Sequence, residues 1–308
     1  MTAPRFISRP KKVTVIINPA AGKPKPILHL LNEQLADIDW KVEVTRKQGD
    51  ANEFTRRAVA ESSEIILSYG GDGTLMEIVD GVVGTDVPVL ILQGGTGNLV
   101  ASELGIPHQI EAALEIIKTP QVKLVPVDLG VVNDSFHFIL RCGCGLEAET
   151  LIRTESGAKS QLGKLAYVQG LFKALAEQET IKFRIWLNDD PEPIITSGVT
   201  LTIANAGRIG WGELKVTPNA RIDDGLFDVC LIKKTALQSA VEFVRIAQNL
   251  ARSEHGFTSD ATVQYQQAYK VRVETDHPVT FQADGDIVGE TPFQVSMAKT
   301  PLWVAVPG

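Results

Sequence analysis

Short apolar runs and amphipathic stretches alternate along the first part of the chain. Runs of β-branched and other apolar residues predict buried strands at 12–17, 41–45, 64–68 and 88–92. Between them, apolar residues three and four positions apart predict helices at 27–36, 51–62, 75–83 and 110–118. This alternation indicates βαβ units that build a parallel sheet covered by helices on both faces. Residues 1–12 precede the first strand and are predicted to be a disordered leader.

From about residue 123 the pattern changes to a series of short strands. Turn signals separate these runs, which are predicted at 124–131, 137–141, 181–187, 198–204, 227–233, 269–275 and 279–282. Such a series indicates an antiparallel β-sandwich, and two amphipathic helices, at 161–177 and 236–252, interrupt it. A domain has roughly 150 residues. The 308-residue chain is therefore predicted to contain an α/β domain at 1–127 and a β-sandwich domain at 128–308.

Composition and charge exclude several classes of protein. Apolar residues make up 44% of the chain and charged residues 22%, which indicates a globular protein. The net charge of −7 argues against a nucleic-acid partner, because phosphate contacts need concentrated Lys and Arg. The chain lacks both a run of roughly 20 apolar residues and a signal peptide. It is therefore predicted to be cytoplasmic, and peripheral contact with the inner membrane surface stays open.

The glycine-rich segment from Gly70 to Thr74 lies between a predicted buried strand and a predicted helix. Glycine lets the backbone approach a phosphate closely, and a helix start near Thr74 presents unpaired N–H groups to an anion. Asp72 adds a carboxylate that can hold Mg²⁺ or accept a proton. A tight turn in which Asp72 only caps a helix is the alternative interpretation.

A second glycine loop, from Gly94 to Asn98, follows the next predicted strand, and the segment from Asn18 to Lys23 follows the first one. In a parallel sheet the loops after the carboxyl ends of the strands line one crevice. None of these loops has the Gly-Lys-Ser/Thr of a Walker A motif or the spacing of a dinucleotide fingerprint. The sequence therefore predicts a phosphate site that several loops build together.

These three loops, in this order, resemble the diacylglycerol kinase catalytic-domain family, whose relatives include sphingosine kinase and NAD kinase. The segments from Asn205 to Gly207, Asp223 to Asp228 and Ala283 to Asp286 extend the resemblance into the second half. The resemblance is strongest to the soluble bacterial lipid kinases and implies that ATP phosphorylates a lipid hydroxyl. It also implies a Rossmann-like α/β domain, an antiparallel β-sandwich and an active site in the cleft between them. Diacylglycerol, which gives phosphatidic acid, is the usual substrate of the family.

The resemblance also implies roles for individual residues. Contacts to ATP are expected at Asn18, Thr45, Gly70, Gly71, Asp72, Gly73, Thr74, Leu75, Met76, Gly95, Thr96 and Asn98. A structural Mg²⁺ is expected on the sandwich, held by the Arg221 carbonyl, the Asp224 carboxylate and the Leu226 carbonyl. The proton acceptor is expected at Asp286, where the family usually has Glu, and Asp72 competes for that role. Asp284 lies two residues before Asp286, so an extended segment would place both carboxylates on one side. A solvated turn at Asp284-Gly285 is the alternative.

Several alternatives stay open at this stage. An NAD kinase shares the first glycine loop, and a catalytically silent lipid-binding module could share the whole fold. The substrate must come from a membrane, which implies transient docking on its surface. Four residues give the helix at 161–177 and the segment before it a basic side that suits anionic lipid, namely Arg153, Lys159, Lys164 and Lys173. Ordinary packing on the sandwich explains the same pattern, and a homodimer is neither indicated nor excluded.

Overall fold

A computed structural model of the chain describes residues 3–22, 26–145, 179–207, 220–234 and 263–308. The chain divides into two compact units. The first unit consists of Met1–Leu129 and Ala298–Gly308, and the second unit is Gly130–Met297. The helices predicted at 161–177 and 236–252, and the basic side of the former, lie outside the described residues. Within the described ranges, no helix has the length and apolar character needed to cross a membrane.

In its described part, the first unit combines strands and helices in alternation. Its strands are β1 (Arg5–Ser8), β2 (Lys12–Ile17), β3 (Asp39–Val44), β4 (Ile65–Gly70), β5 (Val89–Gln93), β6 (Gln121–Val127) and β19 (Leu302–Val306). Its helices are α1 (Ile27–Gln34), α2 (Asp50–Ala60), α3 (Asp72–Val82), α4 (Leu99–Glu103) and α5 (Ile110–Lys118). The strands form one sheet in the order β1-β6-β19-β5-β4-β2-β3.

The centre of this sheet has the predicted parallel architecture. Strands β3, β2, β4, β5 and β19 are parallel neighbours, and all residues of β4 and β5 are buried. Strands that are buried on both faces read as continuous apolar runs, which is the pattern that predicted them. The carboxyl ends of β2, β4 and β5 therefore meet at one edge of the sheet, where the three loops begin.

Three predictions at the borders of this sheet are wrong. Residues 5–8 are not a disordered leader but form β1, because they find hydrogen-bond partners in β6. The strand predicted at 124–131 is assigned to the first unit as β6, which pairs with β19 in antiparallel orientation. The last strand, β19, lies between β6 and β5, so the C-terminal residues complete the first unit although the predicted division gave them to the second.

The second unit contains two antiparallel sheets in its described part, as predicted. Its strands are β7 (Gly130–Val132), β8 (Phe136–Phe138), β9 (Arg141–Cys144), β10 (Ile181–Leu187), β11 (Ile194–Gly198), β12 (Thr200–Ala204), β13 (Phe227–Ile232), β14 (Val263–Ala268), β15 (Lys270–Thr275), β16 (Thr280–Ala283), β17 (Asp286–Glu290) and β18 (Phe293–Met297). One sheet has the order β11-β10-β15-β18-β7-β8, and the other has the order β14-β13-β12-β9-β16-β17.

Phenylalanine rings join the inner faces of these two sheets. Phe138 of one sheet stacks on Phe227 of the other, with ring centroids 5.8 Å apart. Phe281 and Phe293 repeat this contact with centroids 4.3 Å apart. Strand β10 shows the expected alternation, since every second residue faces the core. The predicted fold class, an α/β unit with a parallel sheet and an antiparallel β-sandwich, is confirmed.

Candidate active site

The first glycine loop connects β4 directly to α3. The helix begins at Asp72, three residues before the predicted bound at residue 75, and Gly71 is its N-cap in extended conformation. Asn18, which follows β2, donates its backbone N–H to the Tyr69 carbonyl at 2.8 Å. Its side-chain amide donates to Thr74 Oγ1 at 2.9 Å. The loop after β2 is thereby fixed to the first turn of α3.

The second glycine loop is hydrogen-bonded to the first. The backbone N–H groups of Gly94 and Gly95 both donate to the Gly70 carbonyl, at 3.0 and 2.9 Å. A Cβ atom on Gly95 would lie 2.5 Å from the Gly71 Cα, and one on Gly22 would collide with the Gly94 carbonyl oxygen. These glycines are therefore required by close backbone packing among the three loops.

Gly73 differs from its neighbours because packing does not explain it. It lies in the first turn of α3, it is exposed, and a Cβ atom there would meet no described heavy atom within 4 Å apart from its chain neighbours and the backbone of its own helix. A glycine inside a helix costs about 1 kcal/mol relative to alanine. Bare backbone at a helix start leaves N–H groups accessible to an anion and lets it approach closely. The space over Gly73 thus fits a phosphate group.

Asp72 joins the two glycine loops through its carboxylate. Its Oδ2 accepts the Leu99 N–H at 3.2 Å, and its Oδ1 accepts the Val100 N–H at 3.5 Å. Asp72 therefore caps α4, a short helix that the sequence pattern did not predict. The capping alternative is correct in part, because the capped helix is α4 and not α3. The same carboxylate lies in the first turn of the helix whose start fits a phosphate.

The other predicted nucleotide contacts are distributed around these loops. Asn98 is buried in left-handed conformation, and its side chain exchanges two hydrogen bonds with the Gly95 backbone. Thr96 is exposed at the tip of its loop. Thr45 is buried and bonds to the Ile17 carbonyl at the ends of β3 and β2. Leu75 is buried and Met76 is half-buried on α3, so Leu75 can offer a ligand little besides its backbone.

The predicted metal-binding residues lie in a turn just before β13. Asp224 Oδ1 accepts the Leu226 N–H at 3.0 Å, and the Arg221 guanidinium forms an ion pair with Asp223 at 3.1 Å. Two residues beyond the turn, the buried Asp228 accepts a hydrogen bond from the Tyr265 hydroxyl on its Oδ1. Burial, the contact with Asp228 and the nearby charge of Asp224 all raise the pKa of Tyr265.

The chemistry of this turn fits a hard cation. Asp228 Oδ2 is buried and has no hydrogen-bond partner within the described part of the chain. Oxygen atoms from carboxylates and backbone carbonyls are the ligands that Mg²⁺ prefers, and a cation would offset the cost of burying this charge. The described ranges contain no group of three or more acidic, His or Cys side chains arranged to hold a metal. Backbone carbonyls would therefore have to complete such a site.

The two acidic residues near the C-terminus have different environments. Asp286 begins β17 and is exposed, whereas Asp284 lies in the preceding turn and is half-buried. The Asp284 carboxylate accepts three backbone N–H groups, from Ile139 at 2.7 Å and from Leu140 and Arg141 at 2.9 Å. The expectation that both carboxylates face one side is wrong, because Asp284 has a φ of 48° and is not extended.

The same backbone segment contacts another motif that the sequence singled out. Asn205 is fully buried, and its side chain donates to the Ile139 carbonyl at 2.7 Å. The backbone N–H groups of Asn205 and Ala206 donate to the Leu140 carbonyl at 2.9 and 3.0 Å. Asp284 therefore binds the N–H groups of the segment from Ile139 to Arg141. Asn205 and Ala206 bind the carbonyl groups of Ile139 and Leu140. Sequence analysis missed this segment, which is apolar and carries no motif of its own.

Comparison with known families matches both units. The model of the diacylglycerol kinase catalytic domain matches residues 12–132. The model of the YegS C-terminal NAD kinase beta sandwich-like domain matches residues 142–306. Together the fold, the loops and these matches define a two-domain kinase. Residues 12–132 belong to the diacylglycerol kinase catalytic-domain family, and residues 142–306, more than half of the chain, belong to the YegS C-terminal family.

Individual relatives agree with this assignment over nearly the whole chain. A diacylglycerol kinase of Bacillus subtilis is 28% identical over 305 residues, which cover 96% of this chain and 97% of the relative. A diacylglycerol kinase of Staphylococcus saprophyticus is 27% identical, with 96% of each chain covered. The solved structure of a diacylglycerol kinase from Bacillus anthracis has a TM-score of 0.72 at 21% identity and covers 98% of each chain. Yeast NADH kinase has a TM-score of 0.53 at 12% identity, covering 97% of this chain and 84% of the other.

Proposed function

We propose that the chain is an ATP-dependent lipid kinase that transfers the γ-phosphate of ATP to diacylglycerol. The products are phosphatidic acid and ADP. The observation that carries this proposal is the open space over Gly73, in a set of loops where a Cβ atom on any of the other glycines would meet a neighbouring side chain or backbone atom within 4 Å. Membership of the kinase family supports ATP as the donor, and the curated relatives named diacylglycerol kinase support the lipid.

The first unit is proposed to bind the nucleotide. The α3 N-terminus and the backbone of the Gly70 to Thr74 loop would contact the phosphates, because unpaired N–H groups and the positive end of the helix dipole attract an anion. Asn18, Gly95 and Asn98 hold the loops in place, whereas the exposed Thr96 is free to contact ATP directly. Thr45, Leu75 and Met76 remain proposed contacts at the edge of this region.

The proposed reaction is a direct displacement at phosphorus. The lipid hydroxyl oxygen attacks the γ-phosphorus while the bond between that phosphorus and the β,γ-bridging oxygen breaks. The hydroxyl proton passes to the carboxylate of Asp286, and ADP leaves with the bridging oxygen. Phosphoryl transfer needs positioning and charge neutralisation more than covalent catalysis. The exposed Asp286 suits the role of proton acceptor better than Asp284, whose oxygens already accept three amides.

Two groups of residues are proposed to act with Mg²⁺. On the sandwich, the Arg221 carbonyl, the Asp224 carboxylate and the Leu226 carbonyl would hold a structural ion. In the nucleotide loop, the Asp72 carboxylate has the chemistry to hold an ion near the phosphates. Mg²⁺ supplies charge neutralisation in phosphoryl transfer. The protein's own part is to fix these oxygens through the turn before β13 and the cap on α4.

A substrate panel tests the proposed function. The purified protein is incubated with γ-labelled ATP and mixed micelles of diacylglycerol, a sphingoid base, ceramide or phosphatidylglycerol, and the product is identified by mass spectrometry. Labelled phosphatidic acid is the expected product. Transfer to another lipid would support a lipid kinase with a different substrate. If no lipid is phosphorylated, a catalytically silent lipid-binding module is favoured. A separate reaction with NAD tests the NAD kinase alternative, which predicts labelled NADP.

A further inference from the structure

The turn that carries Asp286 is a two-residue hairpin turn. Asp284 and Gly285 have φ values of 48° and 93°, and Ala283 pairs with Asp286 across the turn. Left-handed conformation at both central residues is typical of a type I′ turn, for which Asp-Gly and Asn-Gly are preferred sequences. The sequence Asp284-Gly285 therefore fixes the shape of the hairpin, but not its place on the sandwich.

Two features set the place of the hairpin: β16 pairs with β9 from Phe281 to Ala283, and the turn itself makes a separate contact. Strand β17 is the edge of its sheet and pairs with β16 alone among the described strands, and the register between them shifts at Phe281 and Gln282. The contact is the Asp284 carboxylate with the amides of the segment from Ile139 to Arg141, while the Asp284 N–H donates to the Arg141 carbonyl at 2.9 Å. The turn is thus held by four hydrogen bonds.

The partner segment is itself rigidly placed. It connects β8 of one sheet to β9 of the other, and Ile139 and Leu140 are buried. Buried backbone groups must be paired, and Asp284 and Asn205 pair the groups of this crossing on both sides. The turn before Asp286 is therefore tied to the connection between the two sheets and not only to its neighbouring strand.

We propose that Asp284 is a positioning residue for the reaction. Its carboxylate fixes the hairpin turn to the crossing segment and thereby sets where the Asp286 carboxylate lies. This inference rests on the proposed role of Asp286 as proton acceptor. A general base has to lie within roughly 2.6–3.2 Å of the proton it takes, or one water away. An aspartate in place of the family's usual glutamate has a shorter reach, so the position of its backbone matters more.

The first test replaces the carboxylate and keeps the turn. Asp284→Asn retains a preferred type I′ sequence, but one of its side-chain atoms becomes an N–H donor that faces N–H donors. We expect kcat to fall by about 10²-fold, the typical effect of misplacing a reacting group by about 1 Å, while the KM for ATP is unchanged. The matched control is Asp134→Asn, because Asp134 has the same left-handed conformation in another hairpin turn and is exposed. We expect this control to keep the wild-type kcat.

A double variant separates positioning from a general loss of structure. If Asp284 acts through Asp286, Asp284→Asn combined with Asp286→Asn is no slower than Asp286→Asn alone, because residues that act as a unit are not additive. Additive losses would overturn the proposal. Should Asp284→Asn fail to fold, Gly285→Ala alters the same turn with the carboxylate retained. A wild-type kcat in Gly285→Ala would equally overturn it.

Hydrogen exchange distinguishes failure of this inference from failure of the proposed function. The amides of Ile139 to Arg141 should exchange faster in Asp284→Asn than in the wild type, whatever reaction the protein catalyses. If Asp286→Asn keeps the full rate, the proposed proton acceptor is wrong. If Asp286→Asn is slow while Asp284→Asn is as fast as the wild type, Asp286 keeps its role and the positioning role of Asp284 is wrong.

Discussion

Asp72 caps α4 and is proposed to act at the phosphate site, and two substitutions separate these roles. Asp72→Asn keeps an acceptor oxygen for the α4 amides and removes the negative charge, whereas Asp72→Ala removes both. We expect both variants to lose turnover by about 10²-fold or more, because a charge placed for the transition state is lost. Only Asp72→Ala should lower the free energy of unfolding, by about 1 kcal/mol, the usual cost of a lost helix cap. Steady-state kinetics and urea unfolding measure the two effects.

The control for Asp72 is Asp80→Asn, an exposed position on the same helix. It should leave turnover unchanged. Wild-type turnover in Asp72→Asn would mean that this carboxylate is only a helix cap and that the phosphate site does not need it.

Asp284 should make stability depend on pH in an unusual direction. Burial raises the pKa of Asp284 to about 6, although its three amide partners act in the opposite direction. Between the ordinary carboxyl pKa near 4 and about 6, the folded protein binds more protons than the unfolded chain, so this group's contribution to stability falls as pH rises. The melting temperature of the wild type minus that of Asp284→Asn should therefore fall from pH 4 to 6 and level off above. A difference that is constant across this range contradicts the raised pKa.

At the scale of single residues, the sequence identified the candidate acidic residues but not the direction in which each side chain points. Asp284 and Asp286 are the same residue type two positions apart, and the rule for extended strands gave them a common side. The rule failed because the turn rotates Asp284 inward, toward amides that come from 143 to 145 positions earlier in the chain. A contact over that distance leaves no local pattern.

Among the elements, the α3 N-terminus offers a test that separates packing from ligand binding. In Gly73→Ala the added methyl group meets open space and improves helix propensity, so the free energy of unfolding should rise by up to about 1 kcal/mol. The same methyl group would occupy the proposed phosphate space and raise the KM for ATP.

In Gly95→Ala the methyl group lies 2.5 Å from the Gly71 Cα, so stability should fall. Thermal unfolding and ATP titration of both variants measure this contrast. An unchanged KM for ATP in Gly73→Ala would contradict the proposal that a phosphate binds over Gly73.

The turn before β13 gives a second test at this scale. Added Mg²⁺ should raise the melting temperature of the wild type, because a ligand that binds only the folded state stabilises it. Asp224→Ala should abolish that rise. The neighbouring Asp223→Ala is the matched control, since the Asp223 carboxylate is paired with the Arg221 guanidinium, and it should keep the rise. An equal response in all three proteins would show that the turn binds no metal ion.

Elements whose own residues show a clear apolar pattern were predictable. Short elements that form because another part of the chain supplies their hydrogen bonds were not. Helix α5 was predicted with its observed bounds, since nine residues show its apolar face clearly. Strand β1 has four residues and forms because β6 supplies its hydrogen bonds. Helix α4 has five residues, too few for a helical period to be recognised, and the carboxylate of Asp72 caps it from a different loop.

For the whole molecule, the change of pattern near residue 123 predicted a border at 127/128, and the compact units of the structure divide after Leu129. The parallel sheet and the sandwich follow from periodicity, and both are observed. The return of the chain to its first unit could not be predicted. The segment at 302–306 is as apolar as any sandwich strand, and nothing local indicates that β5 and β6 enclose it.

The position of β19 inside the first sheet also affects the order in which the protein can be made. A ribosome synthesises the whole second unit before it reaches Leu302, so the first unit lacks the strand between β5 and β6 until Val306 has emerged. The second unit, in contrast, has all its residues as soon as Met297 has emerged. Chains truncated after Met297 should therefore show protease resistance in the sandwich and sensitivity in the α/β unit, and chains that include Ala298–Gly308 should be protected in both.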